Sequence, residues 1–349
     1  MLSFIFIQNP ILNFFKDFSA GRKLIAIVIA MVVTYFGNVF LAQIDGVYSG
    51  NPDPRMNYHQ DFAAMAQYLL TIPLLLIFEG YLTKHLRYLS KYFEDDSFVN
   101  SSIFKKRIDR LKAIVEWRIF GVSILNTLIV LITYLCVIGV MEGLRRDNLN
   151  TWIAIDQRYT IPAWYSLLIT IPIPVSLIVR WVFICAIWGC VLYTVAISEL
   201  KVRPWHPDES GGLSFIKTAH YQFSYLALAI ATVLNITMIY KIIVQKDPST
   251  GWDILGISGF FYLYTIAFYT IPLSFFSNGL VKAKRKALLR VSKELSDGGV
   301  FGAYDKAEFD AVLRMKIMPF DIVMTASYYV AALLISFLPT IFERVLRMT

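Results

Sequence analysis

Long apolar runs alternate along this chain with short polar or charged connectors, and hydrophobic length alone predicts about seven membrane spans. They fall at about 23–45, 61–85, 115–143, 165–198, 219–243, 255–281 and 319–342. Each holds roughly 20 or more mostly apolar residues, which at about 1.5 Å rise per residue is enough for a hydrocarbon core of roughly 30 Å. Barrel strands would read as short alternating segments instead. The fourth run, "IPAWYSLLITIPIPVSLIVRWVFICAIWGCVLYTVAISEL", would reach about 60 Å as a single helix. Pro162, Pro172 and Pro174 predict a kinked or broken entry to it, an interfacial turn ahead of the true crossing. Two crossings within the run are the alternative, and they would invert everything downstream.

Charge selects between the two. With a cytoplasmic N-terminus and a single crossing in the fourth run, about 23 Lys and Arg residues fall on the inner side and about eight on the outer. The inner ones concentrate in 84–112 and 282–316, and an eight-span arrangement would put the second cluster outside. The expected fold is therefore an all-α integral membrane protein, N-terminus cytoplasmic and C-terminus outside, forming a single membrane domain over 1–349. Cytoplasmic segments are expected at 86–113, 201–218 and 283–318. In 86–113, Leu86, Leu89, Tyr92 and Phe93, and then Ile108 and Leu111, recur at helical spacing, the mark of amphipathic helices beside the membrane. The sixth span is expected to continue to Lys293, break at Gly298 and Gly299, and give way to a second helix before Pro319.

Composition agrees with this picture: 57% of the residues are hydrophobic and only 17% charged, far from a soluble globular domain. The opening "MLSFIFIQNPILNFF" carries no basic region and no small-residue cleavage site, and reads as an interfacial segment. Cys136, Cys185 and Cys190 all fall in apolar runs, with neither disulfide nor zinc spacing. The net charge of +8 follows from orientation in the bilayer and calls for no nucleic-acid partner. Lipid, including anionic headgroups beside the basic segments, is the expected partner. Trp152, Trp164 and Trp252 are expected as anchors at the outer surface and Trp205 at the inner one.

Phosphate-binding loops, nucleophile elbows, His-Glu-x-x-His helices and Cys-x-x-Cys pairs are missing from the sequence, and no cofactor is expected. A charge within a span costs at least about 2.5 kcal/mol and normally faces protein or water. Arg180 lies within the fourth span, about 30 Å before Glu199 along a continuous helix. Glu79 lies about two turns from the inner end of the second. Arg180 serves a cavity or pore, or a structural pair; Glu79 pairs with it or makes interfacial hydrogen bonds. Asn126, Asn235 and Asn278 are expected to bond between helices.

The densest polar chemistry is the loop "RPWHPDESGG", Arg203–Gly212. Pro204 and Pro207 stiffen it, while Gly211 and Gly212 admit positive φ and an anion-binding concavity. His206, Asp208 and Glu209 offer a proton relay. His206 and Asp208 with His220 offer ligand types suited to zinc or manganese. A hinge or docking surface is the structural alternative.

"ISELKVRPWHPDESGGLSFI" resembles the His-Pro-Asp-x-x-Gly-Gly-Leu-x-Phe signature of a family of uncharacterised bacterial multi-pass membrane proteins. "YLLTIPLLLIFE", ending at Glu79, and "SLIVRW", containing Arg180, are similar to the same family. The resemblance groups Glu79, Arg180, His206, Asp208, Gly211 and Gly212 as one set of candidates and implies no activity; the expected location is a bacterial inner membrane. The expected function is a permeation pathway, a channel or passive transporter that an Arg lining would bias toward anions, working as a homo-oligomer. The alternatives are a membrane-embedded receptor or scaffold with basic cytoplasmic helices, and an inner-surface enzyme using His206 and Asp208.

Overall fold

The computed structural model describes residues 20–49, 57–61, 65, 68–69, 72–73, 75–76, 101–119, 122–146, 152–156, 158–198, 200–203, 213, 216, 220–221, 224, 228, 251–296, 303–316 and 322–348. Those residues are largely helical. The chain opens with α1 (Ala20–Met31), widens into a π-helical turn at Val32–Phe36 and continues as α2 (Gly37–Ile44). An amphipathic helix, α3 (Ser101–Val115), leads through a two-residue-stranded hairpin, β1 (Arg118–Ile119) and β2 (Val122–Ser123), into α4 (Ile124–Arg146). A second hairpin, β3 (Ala154–Ile155) and β4 (Arg158–Tyr159), precedes α5 (Ile161–Tyr165), a π-helical turn at Ser166–Thr170, and α6 (Pro172–Ile197). Last come α7 (Gly251–Ser296), α8 (Ala303–Arg314) and α9 (Ile322–Met348).

Ile27–Ile44 and the 37-residue stretch Ile161–Ile197 are each long and apolar enough to cross a membrane, and Ile124–Gly139 and Thr325–Leu338 are shorter apolar helices. Most of the expected spans at 61–85 and 219–243 lies outside the described residues. The span expected at 115–143 starts later, at Ile124. α3 closes where the Glu116 N–H donates to Lys112 O (2.8 Å), the β1–β2 hairpin reverses the chain, and Ser123 Oγ caps α4 by accepting from the Asn126 N–H (3.4 Å).

Ile161–Ile197 is one continuous rod, about 55 Å long, with no break at its prolines. Pro172 and Pro174 lack the N–H groups that would bond the carbonyls of Leu168 and Thr170. The helix absorbs the loss by widening: the Ile171 N–H reaches back five residues to Ser166 O at 2.9 Å.

Helix directions follow from the contacts. α1–α2 runs antiparallel to the rod, Asp45 meeting Ile161 and Asn38 meeting Ser166. α7 runs parallel to α6, Gly189 facing Pro272 and Gly279 seated on Ala196. A parallel neighbour is not reached by a tight turn. His220 and Ser224 meet α7 in the opposite order, His220 against Tyr269 and Ser224 sharing Tyr328 with Thr265. α9 is antiparallel to α7 through Tyr269–Thr325, Thr270–Tyr329 and Tyr262–Phe337.

The core forms around the rod in two clusters, one centred on Trp181, Trp188, Tyr269 and Phe276, the other on Tyr58, Tyr68, Trp152 and Ala163. Outward faces remain apolar: Val28, Phe36 and Phe40 on α1–α2, Leu131 and Leu135 on α4, and Val330, Leu334 and Leu338 on α9 are all exposed. The expected continuation of the sixth span is present, since α7 runs unbroken to Ser296. Its last turns hold α8 alongside: Lys284 Nζ donates to Leu313 O (2.8 Å) and Met315 O (2.7 Å) at the C-terminal end of α8, and Arg290 pairs with Glu308 at 2.5 Å. Burial lowers the Lys284 pKa from its ordinary value.

Candidate functional site

Three segments bring polar groups together inside an apolar bundle. Thr34 and Asn38 lie one turn apart at the π-helical turn of α1–α2, and Ser166 and Thr170 are the ends of the π-helical turn in the rod. Tyr68 lies in a third π turn. All five are buried. The Asn38 amide donates to Thr34 O (2.9 Å) and to Thr170 Oγ1 (3.4 Å), and its Oδ1 accepts from Ser166 Oγ (2.8 Å). Thr170 Oγ1 donates to Tyr68 OH (3.4 Å), which lies 3.5 Å from Ser166 Oγ. A ring of four side chains results, each able to donate to one neighbour and accept from another, so no group is stranded in the apolar interior. Tyr165 adds a clamp beside it, donating to Val33 O at 2.9 Å. It fits only because residue 37 is glycine: a Cβ there would stand 2.5 Å from the tyrosine oxygen.

A packed cap closes the end of the bundle next to this ring. Asp45 Oδ2 accepts from the Ile161 N–H (2.8 Å), tying α2 to the start of the rod, and Thr160 caps α5 through the Ala163 N–H (3.3 Å). The β3–β4 turn places Asp156 at φ 47°, a left-handed conformation that Asp tolerates. Trp152 is only 2% exposed. Its Nε1 donates to Asp61 Oδ2 (2.8 Å) and its ring meets Tyr58 edge-on at 4.9 Å. The expected surface anchor is thus a core residue, because Asp61 supplies the acceptor its indole N–H needs away from water. Burial raises the Tyr58 pKa, keeping the phenol neutral.

Farther along the rod, Arg180 is 4% exposed, about 28 Å from Ile161 and about 25 Å from Ile197. Arg180 is held by an interaction within the bundle. At about 100° per residue, Ser166, Thr170, Arg180, Thr194 and Ser198 lie toward one side of the rod, and all five are buried. Thr194 and Ser198 bond back to carbonyls of their own helix, Cys190 O (2.7 Å) and Thr194 O (2.5 Å).

His220 is fully buried, its Nε2 donating to Tyr269 O at 2.9 Å. Around it, Tyr269 stacks on Tyr328 at 4.5 Å, and the Ser224 hydroxyl donates to His220 O. This fixes the Nε2–H tautomer within the bundle. Glu79, His206, Asp208, Glu209, Gly211 and Gly212 lie outside the described residues, so the pairing of Glu79 with Arg180 and the convergence of the loop on a ligand are not at issue in this geometry. Among the described residues, no three His, Cys, Asp or Glu side chains gather as metal ligands. Asn278, expected between helices, is exposed on α7.

The ring residues were absent from the sequence expectations. The signal was there: Thr34/Asn38 and Ser166/Thr170 are polar pairs at i, i+4 spacing on two apolar runs, which puts each pair on one helix face. Neither family models, curated proteins nor solved structures match this chain.

Proposed function

We propose that this chain is a multi-pass helical protein of a bacterial inner membrane, with about seven spans, a cytoplasmic N-terminus and an outer C-terminus. In this reading it forms a permeation pathway, a channel or passive transporter, along the polar side of the Ile161–Ile197 rod. The observation that carries it is Arg180, the one charged residue in the Ile161–Ile197 rod and buried near its middle. A guanidinium at that depth is expensive in hydrocarbon and belongs where protein or water receives it. Its fixed positive charge favours anions.

The reading also draws support from charge. Lys201 and Arg203 beyond α6 and Lys282, Arg285 and Arg290 on α7 lie toward the end of the bundle where Ala196 meets Gly279, and the basic helix α3 packs on α6 as well. That is the asymmetry of a cytoplasmic face. The exposed apolar faces of α1, α4 and α9 suit lipid or a second copy of the chain better than water. The similarity of the 203–212 loop to the His-Pro-Asp-x-x-Gly-Gly-Leu signature belongs to the same proposal.

Reconstitution into liposomes with flux measured for small anions and cations tests it. Anion flux that falls on Arg180→Ala is the expected result. Absence of flux in both proteins, each inserted and folded, would sink the proposal. A receptor or scaffold is the second reading, favoured by the Lys284 and Arg290–Glu308 contacts that hold α8 as an ordered basic-side hairpin. Recovery of a stoichiometric protein partner from native membranes, with no flux, would decide for it.

A further inference from the structure

α3 presents two unlike faces. Phe104 and Ile108 are buried and pack into the core beside α6, which accounts for one side of the helix. Away from them, Ile103, Lys106, Arg110 and Ile114 recur at i, i+3, i+7 and i+11 and form a single exposed stripe. Ile114 is 70% exposed, and Trp117, in the turn that follows, is 60% exposed. An open groove of about 490 Å³ runs along the same side, lined by Ser102, Lys105, Lys106, Asp109, Arg110 and Ala113.

A helix face turned to water is mostly polar, and one turned to hydrocarbon seldom carries cations. A stripe in which isoleucines flank two cations and lead to a tryptophan satisfies neither solvent; it suits the boundary between them. We infer that α3 docks on the anionic lipid leaflet, Lys106 and Arg110 receiving lipid phosphates while Ile103, Ile114 and Trp117 enter the acyl boundary. Charge complementarity selects this occupant: α3 carries five exposed or half-exposed Lys and Arg side chains (Lys105, Lys106, Arg107, Arg110 and Lys112) against Asp109, and near-surface cations are drawn to anionic headgroups. Because the opposite face is packed on the rod that carries Arg180, the leaflet bears directly on the proposed pathway.

The inference rests on the membrane reading, and its experiment measures lipid contact without flux, so either can fail alone. The full-length protein is placed in nanodiscs of phosphatidylcholine doped with brominated phosphatidylglycerol or brominated phosphatidylcholine. Subtracting the Trp117→Phe emission isolates the Trp117 signal. The expected result is quenching by brominated phosphatidylglycerol several-fold stronger than by brominated phosphatidylcholine, lost in Lys106→Gln/Arg110→Gln and kept in Lys282→Gln/Arg285→Gln, which removes equal charge elsewhere. Circular dichroism verifies that each exposed-site variant is folded. Equal quenching by the two lipids overturns the inference, as does a preference that survives the α3 variant. A preference abolished by millimolar inorganic phosphate at constant ionic strength also overturns it, since that marks a soluble-anion site.

Discussion

The ring formed by Asn38, Ser166, Thr170 and Tyr68 makes a graded prediction. Asn38→Leu keeps the volume of the side chain but removes the acceptor for Ser166 Oγ at 2.8 Å and the donor to Thr34 O at 2.9 Å and Thr170 Oγ1 at 3.4 Å. Hydrogen bonds between helices in a membrane average about 0.6 kcal/mol and reach about 1.7, while a buried polar group left without its partner costs about 1–3 kcal/mol. Ser166 can turn toward its own helix, so the loss should fall near the middle of these ranges, at about 2 kcal/mol. Distance then ranks the links. A double-mutant cycle of Asn38→Leu with Ser166→Ala should give about 1 kcal/mol of coupling, and one with Thr170→Val less than about 0.5. Unfolding in mixed micelles with increasing sodium dodecyl sulfate, followed by helical circular dichroism, measures all of these. A coupling to Thr170 as large as that to Ser166, or an Asn38→Leu variant within about 0.3 kcal/mol of the parent, would refute the ring as an energetic unit.

Other predictions use the same assay. Gly37→Ala drives a methyl group to 2.5 Å from Tyr165 OH and should destabilise by about 1–3 kcal/mol; adding Tyr165→Phe should recover part of the loss, and no recovery would mean that the clash lies elsewhere. Gly279→Ala places its Cβ 2.7 Å from the Ala196 Cα, where backbone cannot yield, so α6 and α7 must separate at a cost of about 3 kcal/mol; wild-type stability would contradict their close approach. Trp152→Phe withdraws the indole N–H from Asp61 Oδ2 and should cost about 2 kcal/mol, in the range for bonds to charged groups, with a loss under about 0.5 counting against a buried contact.

Hydrophobic length and charge made the helical character legible, along with the long basic extension of α7 and its hand-over to α8, because these depend on residues adjacent in sequence. Errors arose where distant residues decide. The start of α4 depends on a hairpin that apolar residues conceal, and where a kinked or broken entry was expected the prolines of the rod accompany a wider turn, in which Ser166 O accepts a donor one residue farther on. Trp152 read as an anchor since nothing local reveals that Asp61, 91 residues earlier, supplies its acceptor. The polar ring escaped for a related reason: Asn38, Ser166 and Thr170 singly resemble ordinary small polar residues in apolar helices, and only antiparallel packing of α1–α2 on the rod joins them. Arg180 was conspicuous because a lone charge in an apolar run announces its own cost.

Water access to position 180 tests the proposed pathway most directly. In a protein whose Cys136, Cys185 and Cys190 are replaced by alanine, Arg180→Cys is treated in sealed liposomes with a small anionic thiosulfonate that does not cross lipid, and Asp156→Cys serves as the exposed reference. A pathway along the polar side of Ile161–Ile197 predicts that the thiol at 180 is modified to completion, more slowly than the reference. A thiol at 180 that stays unmodified while the reference reacts fully would contradict it, leaving Arg180 as a structural charge sealed within the bundle.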